Sequence, residues 1–534
     1  MIPLAKLRRA AKDALAYLSA QDDVDQAEVF ASANGNLTVR LNYTSHIPSN
    51  GVEEPKSVES HGLGLRVAFK SPRGLKTGYA SEPTGLSLEA VQRALVKARN
   101  GAVHDPEFVS LPKPDVPHIS EMGDLTPAQN HPPRPGPNLH DPAIMRLGNN
   151  RLVEAGWHMM ERGLDVFQAS EELLSLVSQP QDLLNLGLIL GGDAVFLQER
   201  MAIASTHMPR VQSDQSTMVM SFATAMVETR AAKGSGWSVD THLASFDGAA
   251  AAEAARNAIS SMDGARLPSG DYRVVLGPQP LTEILEWVLL PGLRLDMFYA
   301  GASPFMGKLR QRVASERLSI YDHGAQPGLA GSKRITDEGL PTGRTDLIHD
   351  GVLVGLLSDY YNYQRILNDP QGREKLGVAP RSAASSIAPR NGFRAGNGGG
   401  RDFDSLPSIK PTNLLIEGQT PHSQEELLGL VGDGIYIGRI WYTYPVNGIA
   451  AGDFSGTIVG DSYVIKDGRL GAPLKANTLR MNDNVFRMIN GILGIGSQRR
   501  PTVRWSSDQV TWAPEVALAG FQLEEICGHT ESVF

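Results

Sequence analysis

The sequence predicts an α+β fold: an N-terminal α/β domain with a mixed sheet and covering helices, followed by a strand-rich C-terminal domain. Three observations lead there. The first 110 residues switch repeatedly between helical and strand periodicity. Residues 270–534 are mostly short alternating runs separated by turn residues. The length, 534 residues, exceeds what one core organises, so two or three domains are expected.

Taken in order, residues 1–20 read as an amphipathic helix, with Leu4, Leu7, Ala11, Leu15 and Leu18 on its apolar stripe. DVDQAEVFASA (23–33), GNLTVRLNYTS (35–45) and HGLGLRVAFK (61–70) alternate as half-buried strands do, and TGYAS (77–81) is a short strand. LSLEAVQRALVKARNGA (86–102) returns to helical spacing. Residues 111–150 are proline-rich and poor in aliphatics, which marks a linker or surface insertion. That segment holds His118, His131 and His140, with nothing to orient them on a metal. Helices follow over 148–178, an antiparallel meander over 193–246, and an alanine-rich helix over 249–262.

The strand DYRVVLG (271–277) leads into the apolar helical run LTEILEWVLLPG, which carries Glu283 and Glu286 and should stop at Pro291. Asp350-Gly351 and Asp467-Gly468 sit between alternating runs, as the positive-φ pairs of hairpin turns do. The glycine-rich stretch GFRAGNGGGRDF (392–403) reads as a flexible loop near a cleft. The expected division is therefore 1–110, 111–150, 151–265 and 266–534: N-terminal α+β domain, insertion, remainder of the N-terminal region, and C-terminal β-rich domain.

Composition narrows the function. A net charge of −8 and a pI near 5.9 argue against non-specific nucleic-acid binding, which needs clustered cations. Arg499, Arg500 and Arg504 form one short basic cluster, read as a solvated loop. The single cysteine, Cys527, excludes an internal disulfide and a cysteine-rich metal site. The N-terminal stretch is charged throughout, unlike a secretory signal, and no apolar run approaches the ~20 residues of a membrane span. A cytoplasmic location is expected.

The usual catalytic signatures are missing. No two of the 13 histidines sit at helical ligand spacing, and there is no G-x-S-x-G elbow. The stretch GASPFMGK (301–308) departs from a phosphate-binding loop in spacing and in Leu309. Glu283 and Glu286, three apart, share a helix face. Buried together they could do acid–base work, but the expected reading is the polar edge of an apolar helix.

Several stretches together resemble one family, the TldD/PmbA (TldD/TldE) zinc peptidases. ESHGLGLRVAFKSPRGLKTGYAS (59–81) resembles its Gly-x-Gly-x-Arg-Val core at Gly62, Gly64, Arg66 and Val67. LPSGDYRVVLGP resembles the strand before its active-site helix, and TDEGLPTGRTDLIHDGVLVGLL its Asp-Glu-Gly segment at Asp337, Glu338 and Gly339. IKPTNLLIEG (409–418), GDGIYIGRI and AAGDFSGTIVGDSYVIKDGRLGAPLKANTL (450–479) continue the likeness.

The resemblance implies a barrel-like C-terminal domain and assembly in pairs. It also implies a His-Glu-x-x-x-His motif and a late cysteine holding zinc in the catalytic subunit, with short or unfolded peptides as substrates. In this chain the motif falls on Glu286, Trp287, Val288, Leu289, Leu290 and Pro291, and the cysteine near Ser506, Ser507 and Asp508. No catalytic or metal residue is therefore expected here. The family's cleft-lining strand falls on IWYTYPVNG (440–448), which makes Trp441, Tyr442, Tyr444 and Asn447 the expected peptide or partner contacts. The expected role is a metal-free subunit like TldE/PmbA, with zinc in a TldD-like partner, as a heterodimer, or with a second copy of itself. Two alternatives stay open: a homodimeric peptide-binding or regulatory protein, and a hydrolase with a relocated site using Asp359, His349 or Glu338.

Overall fold

A computed structural model describes residues 1–47, 51–114, 139–396, 399–504 and 507–526. His118, His131, Ser506 and Cys527 lie outside the described residues.

The N-terminal domain is built on one eight-stranded sheet. Its spine is Val24–Thr44, 21 residues long, which runs unbroken through the two alternating segments. Lys56–Ser71 pairs with it on one side and Leu188–Ser205 on the other. Gly74–Pro83 and Val103–His104 extend the first flank, Gln212–Val227 and Ala232–Asp240 the second. Every ladder in this sheet is antiparallel. The mixed pairing expected here occurs instead in the C-terminal sheet, where Asn413–Glu417 and Gly434–Ile437 each have a parallel neighbour.

Strand alternation assigns the two faces. Ala27, Val29, Ala31 and Ala33 pack under the helices Leu4–Ser19 and Leu88–Asn100. Leu37, Val39 and Leu41, on the same face, pack under Asn149–Ala169 and Ala249–Ser260. The opposite face presents Glu28 and Phe30 to the second domain, where Phe30 packs with Ile335 and Phe403.

The C-terminal domain is organised by a 14-stranded sheet around Val510–Glu525. That strand pairs with Gly270–Leu276, Asn413–Glu417, Leu479–Asn484 and Ile492–Thr502. Both expected hairpins are present, with Asp350, Gly351, Asp467 and Gly468 at φ of 48°, 77°, 48° and 71°.

Three local expectations change. The described part of 392–403 is packed rather than loose: Gly392–Phe393 pairs with Ser408–Ile409, and Arg394 and Arg401 are each 1% exposed. Arg499 and Arg500 lie within a strand, and Arg500 binds Glu253 and the Trp237 carbonyl of the first domain. Charge satisfied across a domain junction draws in groups that look solvent-seeking in sequence.

The run after Gly277 is not one regular helix. It is α-helical over Pro278–Ile284, a π turn over Leu285–Leu289, and 3₁₀ over Leu290–Leu293. Pro291 does not end it; it enters the first turn of the 3₁₀ segment, where its missing N–H costs nothing.

Candidate functional site

The helical run Pro278–Leu293 enters from the strand Gly270–Leu276 and packs beside the start of Val510–Glu525. Its residues are apolar on nearly every side, so it is a buried helix. The π turn widens the backbone spacing under Glu286, a distortion often found at functional sites. Glu286 is 6% exposed. Thr511 Oγ1 donates to its Oε1 and Gln509 Nε2 to its Oε2, each at 2.6 Å. Arg504 Nε lies 3.6 Å from the same carboxylate and its guanidinium stacks 3.9 Å from the Trp287 ring.

Burial is the main influence on Glu286 and pushes its carboxyl up to about 7, against the pull of Thr511, Arg504 and Gln509. Glu283, also buried, is raised by burial despite Arg439 and Arg504. The expected polar edge of a helix is thus a buried acidic pair, and Arg504, expected in a solvated loop, is part of its surroundings. Trp287 reaches the surface at 41% exposure.

These residues do not suit zinc. Of the three expected motif positions only Glu286 offers a ligand atom, and both its oxygens are taken by protein groups. Trp287 and Pro291 offer none. Ser507, near the expected cysteine position, accepts from the Gln509 N–H at 3.3 Å. Among the described residues no three histidine, cysteine, aspartate or glutamate side chains are grouped to hold a metal.

A second cluster joins the two domains. Arg401 reaches Asp337 at 2.6 Å and Asp214 at 2.9 Å, all nearly fully buried. Arg394 and Arg66 hold the two oxygens of Glu28 at 2.8 and 2.7 Å. Burial alone would raise Asp214, but Arg401 and Arg334 outweigh it and hold its carboxyl below the ordinary range.

The Gly-x-Gly-x-Arg segment seats this junction. A Cβ at Gly64 would stand 2.3 Å from the Phe403 carbonyl oxygen, and one at Gly62 2.7 Å from the Phe403 ring. Tyr79 Oη donates to that same carbonyl at 2.8 Å. Of the three residues considered for a relocated hydrolytic site, Glu338 and Asp359 are buried together and His349 is exposed elsewhere. Glu338, raised to about 8 by burial and by the Asp359 charge, accepts the Tyr360 N–H at 2.8 Å. Asp359 caps the helix Tyr360–Asn368 through the Asn362 N–H at 2.9 Å.

The aromatic segment adjoins the first cluster: Ile440 N–H donates to Gln279 Oε1 at 3.0 Å on the helical run, and Arg439 draws on the buried Glu283. Arg439–Pro445 pairs with Asp453–Gly460 as its one strand partner among the described residues, with a bulge between Trp441 and Tyr444. Tyr442, at φ 55°, and Tyr444 are 73% and 53% exposed. Trp441 stands edge-on to Tyr442, 5.9 Å between centroids, and Asn447 donates to Asp453 at 2.9 Å. Arg439 links this strand to the first domain by stacking 4.6 Å from the Phe222 ring.

The domain built around this buried helix and the last strands is of a metallopeptidase class: residues 269–524 match the family described as the PmbA/TldA metallopeptidase C-terminal domain. Just under half of the chain thus carries the C-terminal domain of the TldD/PmbA family. A stretch of 228 residues is 28% identical to the metalloprotease TldD homolog of Buchnera aphidicola from Schizaphis graminum, covering 42% of this chain and 41% of that one. Over 188 residues it is 30% identical to a metalloprotease of Synechocystis, 35% of this chain and 34% of that one. The matched region thus spans about two fifths or less of the length of these curated relatives. TldE from Thermococcus kodakarensis superimposes with a TM-score of 0.72 at 15% identity, over 96% of this chain and 100% of that chain, a likeness of fold.

Proposed function

We propose that this chain is the metal-free, TldE/PmbA-like subunit of a two-part metallopeptidase acting on short or unfolded peptides. The observation that carries the reading is the buried Glu286 carboxylate, satisfied by Thr511 and Gln509, where the resemblance puts the family's metal motif, with Trp287 and Pro291 at its other key positions. Zinc would sit in a TldD-like partner bearing His-Glu-x-x-x-His, and no step of hydrolysis is assigned to this chain. The curated relatives named metalloproteases support the peptidase context.

The chain's own contribution is to shape the cleft. The strand Arg439–Pro445 has no second strand partner among the described residues; Gln279 covers that edge at Ile440, and beyond it Tyr442 and Tyr444 offer rigid amphipathic surface. An extended peptide, or the partner, can add to such an edge without regard to its sequence. No helix among the described residues is long and apolar enough to cross a membrane.

The test is a tagged pull-down from the native host, with eluted proteins quantified by mass spectrometry and zinc measured in the same eluate. The expected result is a near-equimolar homologue bearing His-Glu-x-x-x-His, with the zinc following that homologue. Stoichiometric zinc in this chain purified alone would sink the proposal. Elution as a self-paired dimer, without such a homologue, would favour the homodimeric peptide-binding reading.

A further inference from the structure

Between the N-terminal sheet and the segment 399–404 lies a cavity of about 290 Å³. Its mouth is formed by exposed residues that include Val58, Ser60 and Asp404, and Glu199, 4% exposed, is at its floor. Asp402 and Asn34 line the wall, and no lysine or arginine lines the cavity.

Two buried acceptors there lack a donor. Glu199 Oε2 is held by Lys333 Nζ and Ser216 Oγ, while its Oε1 has no partner. Asn34 Nδ2 donates to the Arg401 carbonyl at 2.9 Å, which fixes the amide and leaves Oδ1 unpartnered. Buried acceptors without donors are costly and uncommon. A ligand suited to them carries several N–H donors and a positive charge. A primary ammonium has three such donors on one compact centre. A metal ion is disfavoured, because no three carboxylate or imidazole groups are brought together.

We propose that this cavity binds a primary ammonium group, on Glu199 Oε1 and Asn34 Oδ1, with Asp402 supplying further negative charge. In a peptide the group is either the amino terminus or a lysine side chain. The cavity is linked to the helix described above: Lys333 reaches 4.0 Å from Asp508, Gly400 N–H donates to Asp508 at 3.2 Å, and neighbouring Gln509 holds Glu286. A peptide end seated there would thus be anchored near the old metal-motif position. The inference rests on the peptide-cleft reading for the source of the ammonium, not for the chemistry of the pocket.

The test is calorimetric titration of the full chain with n-butylammonium chloride, tetraalanine amide, N-acetyl-tetraalanine amide and N-acetyl-Ala-Lys-Ala amide. Free tetraalanine amide should bind at least ~10-fold more tightly than its acetylated form if the amino terminus is the source. If the lysine peptide also outcompetes acetylated tetraalanine by that margin, the side chain is a source too. Asp402→Asn should weaken the favoured probe by ~5-fold or more with an unchanged melting temperature, and Glu199→Gln by more. Glu199→Gln disturbs the buried Lys333 and can fail to fold, so Asp402→Asn decides. Equal binding of free and acetylated peptides overturns the ammonium pocket while leaving a peptide cleft intact. Butylammonium binding without any peptide binding keeps the pocket and overturns the cleft. No binding of any probe at roughly 10 mM overturns the pocket outright.

Discussion

Arg401 and Asp214, 187 positions apart in sequence, meet at 2.9 Å with side chains 2% and 1% exposed. The ion pair is one arm of a buried fork, since the same guanidinium also holds Asp337. Replacing Arg401 by Met strips the principal cation from two buried carboxylates. We expect a loss of ~3–5 kcal/mol in chemical denaturation, the usual cost of breaking a buried pair on one side. Asp337→Asn, which leaves Asp214 paired, should cost less. Equal stability of wild type and Arg401→Met would show that the junction does not hold the domains together.

Glu286→Gln should be tolerated, and its effect should depend on pH. The carboxyl is near 4.5 in the unfolded chain and is raised to about 7 in the fold. The fold therefore favours the protonated form. Its stabilising contribution is present in full below about 4.5 and is lost as pH rises through about 7. Glutamine never ionises and escapes that loss. The variant should gain on wild type between pH 5 and pH 8, by at most about 3 kcal/mol, measured as the difference in unfolding free energy at the two pH values. A difference that shrinks over that interval would contradict the assignment.

Gly64→Ala tests the seat of Phe403. The new methyl would meet a carbonyl oxygen at 2.3 Å, so sheet or loop must move. Destabilisation of ~1–3 kcal/mol is expected, with earlier proteolysis within 399–404. A cut site elsewhere would place the weakness outside this contact.

Tyr442→Ala with Tyr444→Ala removes surface from the strand edge. Both side chains are exposed, so the melting temperature should stay within about 2 °C. Recovery of the partner, or binding of an unfolded peptide, should fall by ~10-fold if the edge is used. Unchanged recovery and unchanged peptide binding would remove this strand from the proposed cleft.

Much of the fold was legible in the sequence because alternation in LNYTS, RVAFK and the meander at 193–246 has a single structural meaning on a half-buried sheet. The buried charges were not. Arg394 and Arg401 sit among glycines in 392–403, and only distant partners such as Glu28 and Asp214 make their burial affordable. The pattern Gly62, Gly64, Arg66 was visible, but its reason was not: a strand glycine signals close approach without saying what approaches. Around Glu286 a signal was present and misread. Ile284, Leu285, Val288, Leu289 and Leu290 leave that helix no solvent face beyond Trp287, so an acid among them had to be buried. The π turn itself left no trace, since apolar spacing cannot separate one widened turn from a regular helix.

The order of synthesis gives the domain junction a further meaning. Glu28 is made early, and its partner Arg394 emerges 366 residues later. At ~5–20 residues per second that interval lasts roughly 20–70 s. Over that interval the nascent sheet carries Glu28 with Arg66 but without Arg394, and, once it is made, Asp214 without Arg401. Closing its second face before then would bury Glu28 with one of its two guanidinium partners missing, which disfavours early closure. A chain cut short before residue 394 never completes that exchange, and it exposes itself to quality-control proteases as an unfinished product.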